Sequence, residues 1–232
     1  MAKESVGFRF LSGVPSQFCF IMSKPSNVIS YYVLCNKLKD IIRTGWKKWH
    51  VQRERLESVA EHVYGVQMLA VAMYSEYDYD LDIEKVILML AIHELEEIAI
   101  GDLVPFEITK SEKEKIGHEA VGKILDGISN KMDLKSIIYE FDERKTPEAK
   151  FAHLCDKLEA DIQCKLYDEE NCVDWQSQDD NELLKYHQVQ ESVDFQKNWS
   201  DCWIEHDKKH YEYDQNFIAV IDYLKTHQIK EG

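Results

Sequence analysis

The strongest restriction on this fold is a spacing. Along most of the 232 residues, apolar side chains recur three and four positions apart and do not alternate, the period of a helix with one buried face. Glycine and proline interrupt such runs, and the chain has only 9 and 4 of them. An all-α fold follows. A chain this long buries a sizeable core, and no Pro- or Gly-rich linker divides it. One domain is expected, with residues 1–26 an amino-terminal extension, 27–172 the core, and 173–232 a helical extension packed on the same domain.

The stretch from Asn27 to Thr44 has near-helical spacing and stops at Gly45, a common terminator; a loop is expected from Gly45 to Glu57. Ser58 or Glu57 then opens a long helix that places His62, Val66, Leu69 and Met73 on one inward face. Asp82 caps the next helix, which is expected to run unbroken to Gly101 with Val86, Leu90, His93 and Glu97 on one face. Ser111 and Asp133 are read as caps of two further helices, and Pro147 suits the first helical position of another after Thr146. There Ala149, Ala152, Asp156 and Ala160 fall in one stripe of mostly small side chains. Two last helices are expected near 182–195 and 211–225.

The formal charge is −15, with no basic stripe interleaved with aromatics, so a nucleic acid polymer is excluded as partner. A small phosphate ester is not, because a divalent ion reverses the local field. Cys19, Cys35, Cys155, Cys164, Cys172 and Cys202 form no C-x-x-C pair and read as reduced thiols. The apolar stretch from Phe8 to Met22 is interrupted by Arg9, Pro15 and Gln17, and no run is long enough to span a bilayer. A soluble cytoplasmic protein is expected, with Met22 an alternative start.

His62, His93, Glu94 and Asp156 are ligand-type groups on three helices, and two imidazoles with two carboxylates suit Co, Mn, Fe, Ni or Zn. Glu97 lies one turn beyond His93, where a carboxylate can exchange protons with a metal-bound water. The bland alternative is that each is a hydrogen-bonded core residue; the set of four favours the metal.

The order His62, His93–Glu94, Asp156 resembles the H…HD…D signature of HD-domain phosphohydrolases. RTGW at 43–46, ESVAEH at 57–62, HELEEIAIGDLVP at 93–105 and TPEAKFAHLCDKLEA at 146–160 are similar to the 5′-deoxynucleotidase branch, over roughly residues 30–170. The resemblance implies a helical HD fold, a homodimer, one divalent ion, and hydrolysis of deoxyribonucleoside 5′-monophosphates. It makes His62, His93, Glu94 and Asp156 the ligands, Glu97 and Asp102 the catalytic acids, and Arg43 and Trp46 the holders of phosphate and sugar. The chain departs from the pattern at Glu94, where the family has Asp, at Trp49, where the branch has Arg, and in two extra residues before Glu57. Arg43 also fits a solvated helix-end cation, Trp46 and Trp49 fit packing anchors, and Lys110 and Lys113 are read as surface lysines. His118 and His153 leave open a two-metal, oxidising relative; the Glu94 substitution leaves open a silent nucleotide-binding module; triphosphate cleavage is a further alternative.

Overall fold

The computed structural model describes residues 24–104, 107–175, 177–178, 181–185 and 198–230, and among them every regular element is helical. The elements are α1 (Pro25–Cys35), α2 (Thr44–Lys48), α3 (Val59–Glu76), α4 (Ile83–Ile92), α5 (Glu97–Ile100), α6 (Lys110–Ile124), α7 (Lys131–Glu143), α8 (Pro147–Glu169), α9 (Trp199–Asp207) and α10 (Gln215–Thr226). Short 3-10 turns follow α1 at Asn36–Lys39 and α9 at Lys208–Tyr211. No helix among the described residues is long and apolar enough to cross a membrane.

Helix α8 is the axis. It packs against α3, α4, α7, α9 and α10, and its Ala149, Ala152, Cys155 and Leu158 are fully buried. The main core joins that face to Val66 and Ala70 of α3, Met89 and Leu90 of α4, and Phe217 and Ile221 of α10. Each such large apolar side chain contributes about 1.5–3 kcal/mol relative to exposure. A second core is aromatic: Trp46, Trp49 and Trp199 are each at most 3% exposed and pack with Tyr167.

Several expectations at element boundaries are corrected. The single helix from Asn27 to Thr44 is divided, because α1 buries none of its residues and the chain turns where Leu38 enters the core. Backbone pairing then takes over: Arg43 N–H donates to Glu57 O at 3.0 Å and Val59 N–H to Ile41 O at 2.8 Å. The loop expected from Gly45 holds α2, five residues long, too short to show a period. Gly45 lies inside that helix and does not end one.

The unbroken helix through Gly101 breaks after Ile92. Leu95, Glu97 and Ile98 each donate to the carbonyl three residues back, a 3-10 pattern of the kind that marks local adaptation. Thr109, in a capping box with Glu112, starts α6 in place of Ser111, and α7 begins at Lys131, leaving Asp133 in its first turn. Pro147 does occupy the start of α8 behind the Thr146 cap. Of the helix expected over 182–195, residues 182–185 are helical and 186–195 lie outside the described residues; so do Met22 and Cys19. The last helix starts at Gln215, Tyr211 closing the 3-10 turn before it.

The start of α3 is fixed by a full capping box: Ser58 accepts from Glu61 N–H while the Glu61 carboxylate accepts from Ser58 N–H. His62 is the next residue, so this cap sets its entry into the core. Ser58→Ala should lower stability by about 1 kcal/mol, read as a lower urea midpoint at unchanged slope; a midpoint equal to the parent's would show that the cap is redundant.

Candidate metal centre

Three chain segments bring His62, His93, Glu94 and Asp156 together, and one ligating atom from each lies within 4.8 Å of all the others. His62, on the first turn of α3, is fully buried. Its ring is held from both sides, Nδ1 at 2.6 Å from Glu159 Oε2 and Nε2 at 2.9 Å from Asp156 Oδ1. Glu159 and Asp156 sit three apart on α8, which lets one helix grip both edges of the ring. Burial and Arg43 oppose a charge on His62, yet the bonds to Asp156 and Glu159 outweigh them and push its pKa to about 10.

His93 caps the end of α4 and donates Nδ1–H to Leu90 O at 2.7 Å. That makes Nδ1 a donor and turns Nε2 toward the cluster, where burial opposes a charge on the ring but Asp156 and Glu94 raise its pKa. Nε2 is buried without a hydrogen-bond partner, and it faces Asp156 Oδ1 at 3.6 Å and Glu94 Oε1 at 3.7 Å. A buried ring nitrogen with no hydrogen bond between two carboxylate oxygens is costly in a protein interior. A cation between them removes the cost, so the donor set fits a divalent transition metal.

Glu94 follows His93 in the non-α turn, and its Oε1 also lies 3.8 Å from His62 Nε2 and 3.5 Å from Arg43 Nη1. Neighbouring residues diverge by about 100° on an α-helix and by about 120° in a 3-10 turn, so the point that His93 and Glu94 share lies close against the chain between them. Its Oε1 thus lies beside both imidazoles, 3.7 Å from His93 Nε2 and 3.8 Å from His62 Nε2.

The remaining expected residues surround the cluster. Arg43, Trp46, Glu94, Glu97, Asp102 and Asp156 are among those lining a cavity of about 230 Å³. Glu97 is 1% exposed, and one of its oxygens has no hydrogen-bond partner. Burial, then the charges of Glu94 and Asp102, push its pKa up to about 11. Asp102 is already engaged: its Oδ2 accepts Thr44 N–H at 2.5 Å, while its carbonyl accepts Thr44 Oγ1–H at 2.6 Å. It thereby ties the start of α2, and with it Arg43, to the loop after α5. Trp46 is 2% exposed, donates Nε1–H to Glu57 Oε2 at 2.7 Å and stacks on Trp203 at 5.4 Å.

His118 and His153 do not join the four: His118 Nε2 is 2.7 Å from Asp142, and His153 stacks on Phe141 at 3.7 Å. Sequence reasoning missed Glu159 and misplaced Lys113. Glu159 lies three residues after Asp156, a helical spacing that signals a shared face, but nothing in the chain names its partner. Lys113 is no ordinary surface lysine; its Nζ lies 3.5 Å from Glu97 Oε1.

Comparison with known proteins agrees with this geometry. The family model described as HD domain matches residues 35–199. The 5′-deoxynucleotidase HDDC2 of Dictyostelium discoideum is 31% identical over 175 residues, covering 70% of this chain and 91% of that protein. The human protein of the same name is 28% identical over 148 residues, 62% of this chain and 69% of its own. Among solved structures, the PH0347 protein of Pyrococcus horikoshii OT3 superposes with a TM-score of 0.61 at 21% identity, over 84% of this chain and 99% of that one. A predicted metal-dependent phosphohydrolase from Magnetospirillum magnetotacticum gives 0.57 at 21% identity, over 89% and 96%. At those identities the structures show the fold alone, and the family match over most of the chain shows the family: this protein belongs to the HD-domain family.

Proposed function

We propose that this protein is a metal-dependent phosphomonoesterase that converts nucleoside 5′-monophosphates, deoxyribonucleotides foremost, to nucleoside and phosphate. The observation that carries the reading is the bare, buried His93 Nε2 at the centre of a four-residue donor set opening into a cavity walled by Arg43 and Glu97. The names of the relatives supply the substrate class. His62, His93, Glu94 and Asp156 would hold one ion of cobalt, manganese, iron, nickel or zinc. Such an ion, when bound, polarises a phosphate oxygen and makes water more acidic.

The chain's own groups do the remaining work. Arg43, 3.5 Å from Glu94, offsets phosphate charge and orients it by forked donation. Glu97, buried and holding its proton to high pH in the metal-free site, lines the cavity where it could deliver a proton to the departing alkoxide oxygen. Asp102 positions α2 and Arg43 through Thr44. The buried Trp46 forms a rigid wall beside the sugar. Phosphate release from metal-stripped protein, restored with Co, Mn, Mg or Zn and offered deoxy- and ribonucleoside mono- and triphosphates, tests the activity. Release confined to monophosphates supports the reading; pyrophosphate from triphosphates, or no turnover with any metal, overturns it.

Two further assignments belong to this reading. The described cysteines are all free thiols, which suits the cytoplasm. On α1, Val28, Ile29, Tyr32 and Val33 are each more than half exposed, on a helix whose Tyr31 and Cys35 pack only partly against the core; a helix of this length is marginal alone, and a second copy of the chain is its natural cover. Tyr32→Asp should then convert a dimer to a monomer in light scattering, whereas an unchanged mass would place the interface elsewhere.

Glu97→Gln, equal in size but unable to give up a carboxylic proton, should lower kcat by about 10²–10⁴-fold with metal content unchanged. Turnover at the parental rate would remove Glu97 from proton transfer. His62 must lose its Nε2 proton to ligate, and its pKa without metal is about 10. Metal binding at neutral pH should therefore release a proton, with affinity rising as pH rises and flattening near that pKa. Calorimetry in buffers of different ionisation enthalpy measures the release, and none at pH 7 would show that His62 is not displaced from its ion pairs.

A further inference from the structure

Helix α6 delivers a lysine to the same cavity. The Thr109–Glu112 capping box fixes where α6 begins, and Lys113 is the next residue. One turn further, Gly117 meets the Glu96 side chain so closely that an added Cβ would lie 3.3 Å from Glu96 Cγ. Glycine there lets α6 lie against the turn that carries Glu94, Glu96 and Glu97. The result is Lys113 Nζ at 3.5 Å from Glu97 Oε1, with the lysine side chain 30% exposed. That residual exposure faces the site: Lys113, Glu94 and Asp156 line both the 230 Å³ cavity on the Arg43 side and a neighbouring one of about 180 Å³ on the His118 side.

At 3.5 Å the contact with the protonated Glu97 is loose, and an ammonium has three donors to place. Burial works against its charge, but Glu94, Glu97, Glu96 and Asp102 raise its pKa, so it remains a cation. Its neighbour Lys110 differs: it is 68% exposed and pairs along its own helix with Glu114.

We propose that Lys113 is a phosphate-binding residue, the second cation of the site, which contacts the phosphoryl oxygens from the α6 side as Arg43 does from the α2 side. The proposal rests on the phosphomonoesterase reading for its substrate, but the anion contact is separable from turnover. A phosphate entering the cavity carries more charge than Glu97 and draws the ammonium toward itself. Lys113 then both neutralises the substrate and relaxes its hold on Glu97.

Calorimetric titration of inorganic phosphate into manganese-loaded protein tests this without any turnover. Lys113→Gln should weaken phosphate binding about tenfold, a loss of about 1.4 kcal/mol, and raise KM with it, while Lys113→Arg retains most of the affinity and Lys110→Gln matches the parent. Phosphate affinity within twofold of the parent in folded, metal-replete Lys113→Gln would overturn the proposal and leave the lysine as an anchor for Glu97. A second arm needs no variant: phosphate should slow amine acylation of Lys113 in the parent, read by mass spectrometry against Lys110, and equal labelling with and without phosphate would overturn it too. Should the parent bind phosphate through Lys113 yet hydrolyse no nucleotide, the anion site stands and the phosphomonoesterase reading falls.

Discussion

The site depends on one buried ring. His62 has no solvent exposure and sits between Asp156 and Glu159, at 2.9 and 2.6 Å, with both carboxylates supplied by α8. An unpaired imidazolium in that position would be strongly disfavoured, whereas a ring clamped by two acceptors is stabilised in a single orientation. Packing serves the same contact. Gly65, one turn along α3, faces Glu159 so closely that a Cβ would fall 2.6 Å from its Oε1. The glycine keeps the carboxylate free to reach His62, at the cost of some helix propensity.

The second constraint is the interruption between α4 and α5. Adjacent residues diverge by about 100° on a regular helix, and at the end of α4, where three-residue hydrogen bonds replace the α pattern, His93 and Glu94 still each bring a ligating atom to the cluster. Glu97 then restarts the helix on the same side, one turn past His93 and beside Lys113. The chain thus gathers carboxylates at a density its −15 charge makes costly. Arg43 and Lys113 offset them locally, and the proposed metal ion would complete the balance.

The helical class, the α3, α4 and α8 starts at Ser58, Asp82 and Thr146, and the approach of His62, His93, Glu94 and Asp156 to one another were legible in the sequence, because periodicity and capping are local signals. What was not legible depends on tertiary partners. The break after Ile92 has no Gly or Pro to announce it. Helix α2 exists because Asp102, 58 positions away, receives Thr44 N–H. Lys113 looks like any exposed cation until Gly117 and Glu96 bring α6 against the site. Apolar spacing in α1 pointed to a helix correctly, but which side packs is set by Tyr31 and Cys35, half-buried against the core, while Ile29 and Val33 stay exposed.

Every step of the proposed chemistry requires the four side chains to hold a divalent ion with Glu94 as a working ligand. Anomalous diffraction from crystals soaked in manganese or cobalt tests that requirement. One strong peak is expected at about 2.0–2.2 Å from His62 Nε2, His93 Nε2, Glu94 and Asp156, with Glu159 still on His62 Nδ1. A peak that leaves Glu94 on Arg43 and beyond bonding distance, or no peak between the two imidazoles, would contradict it.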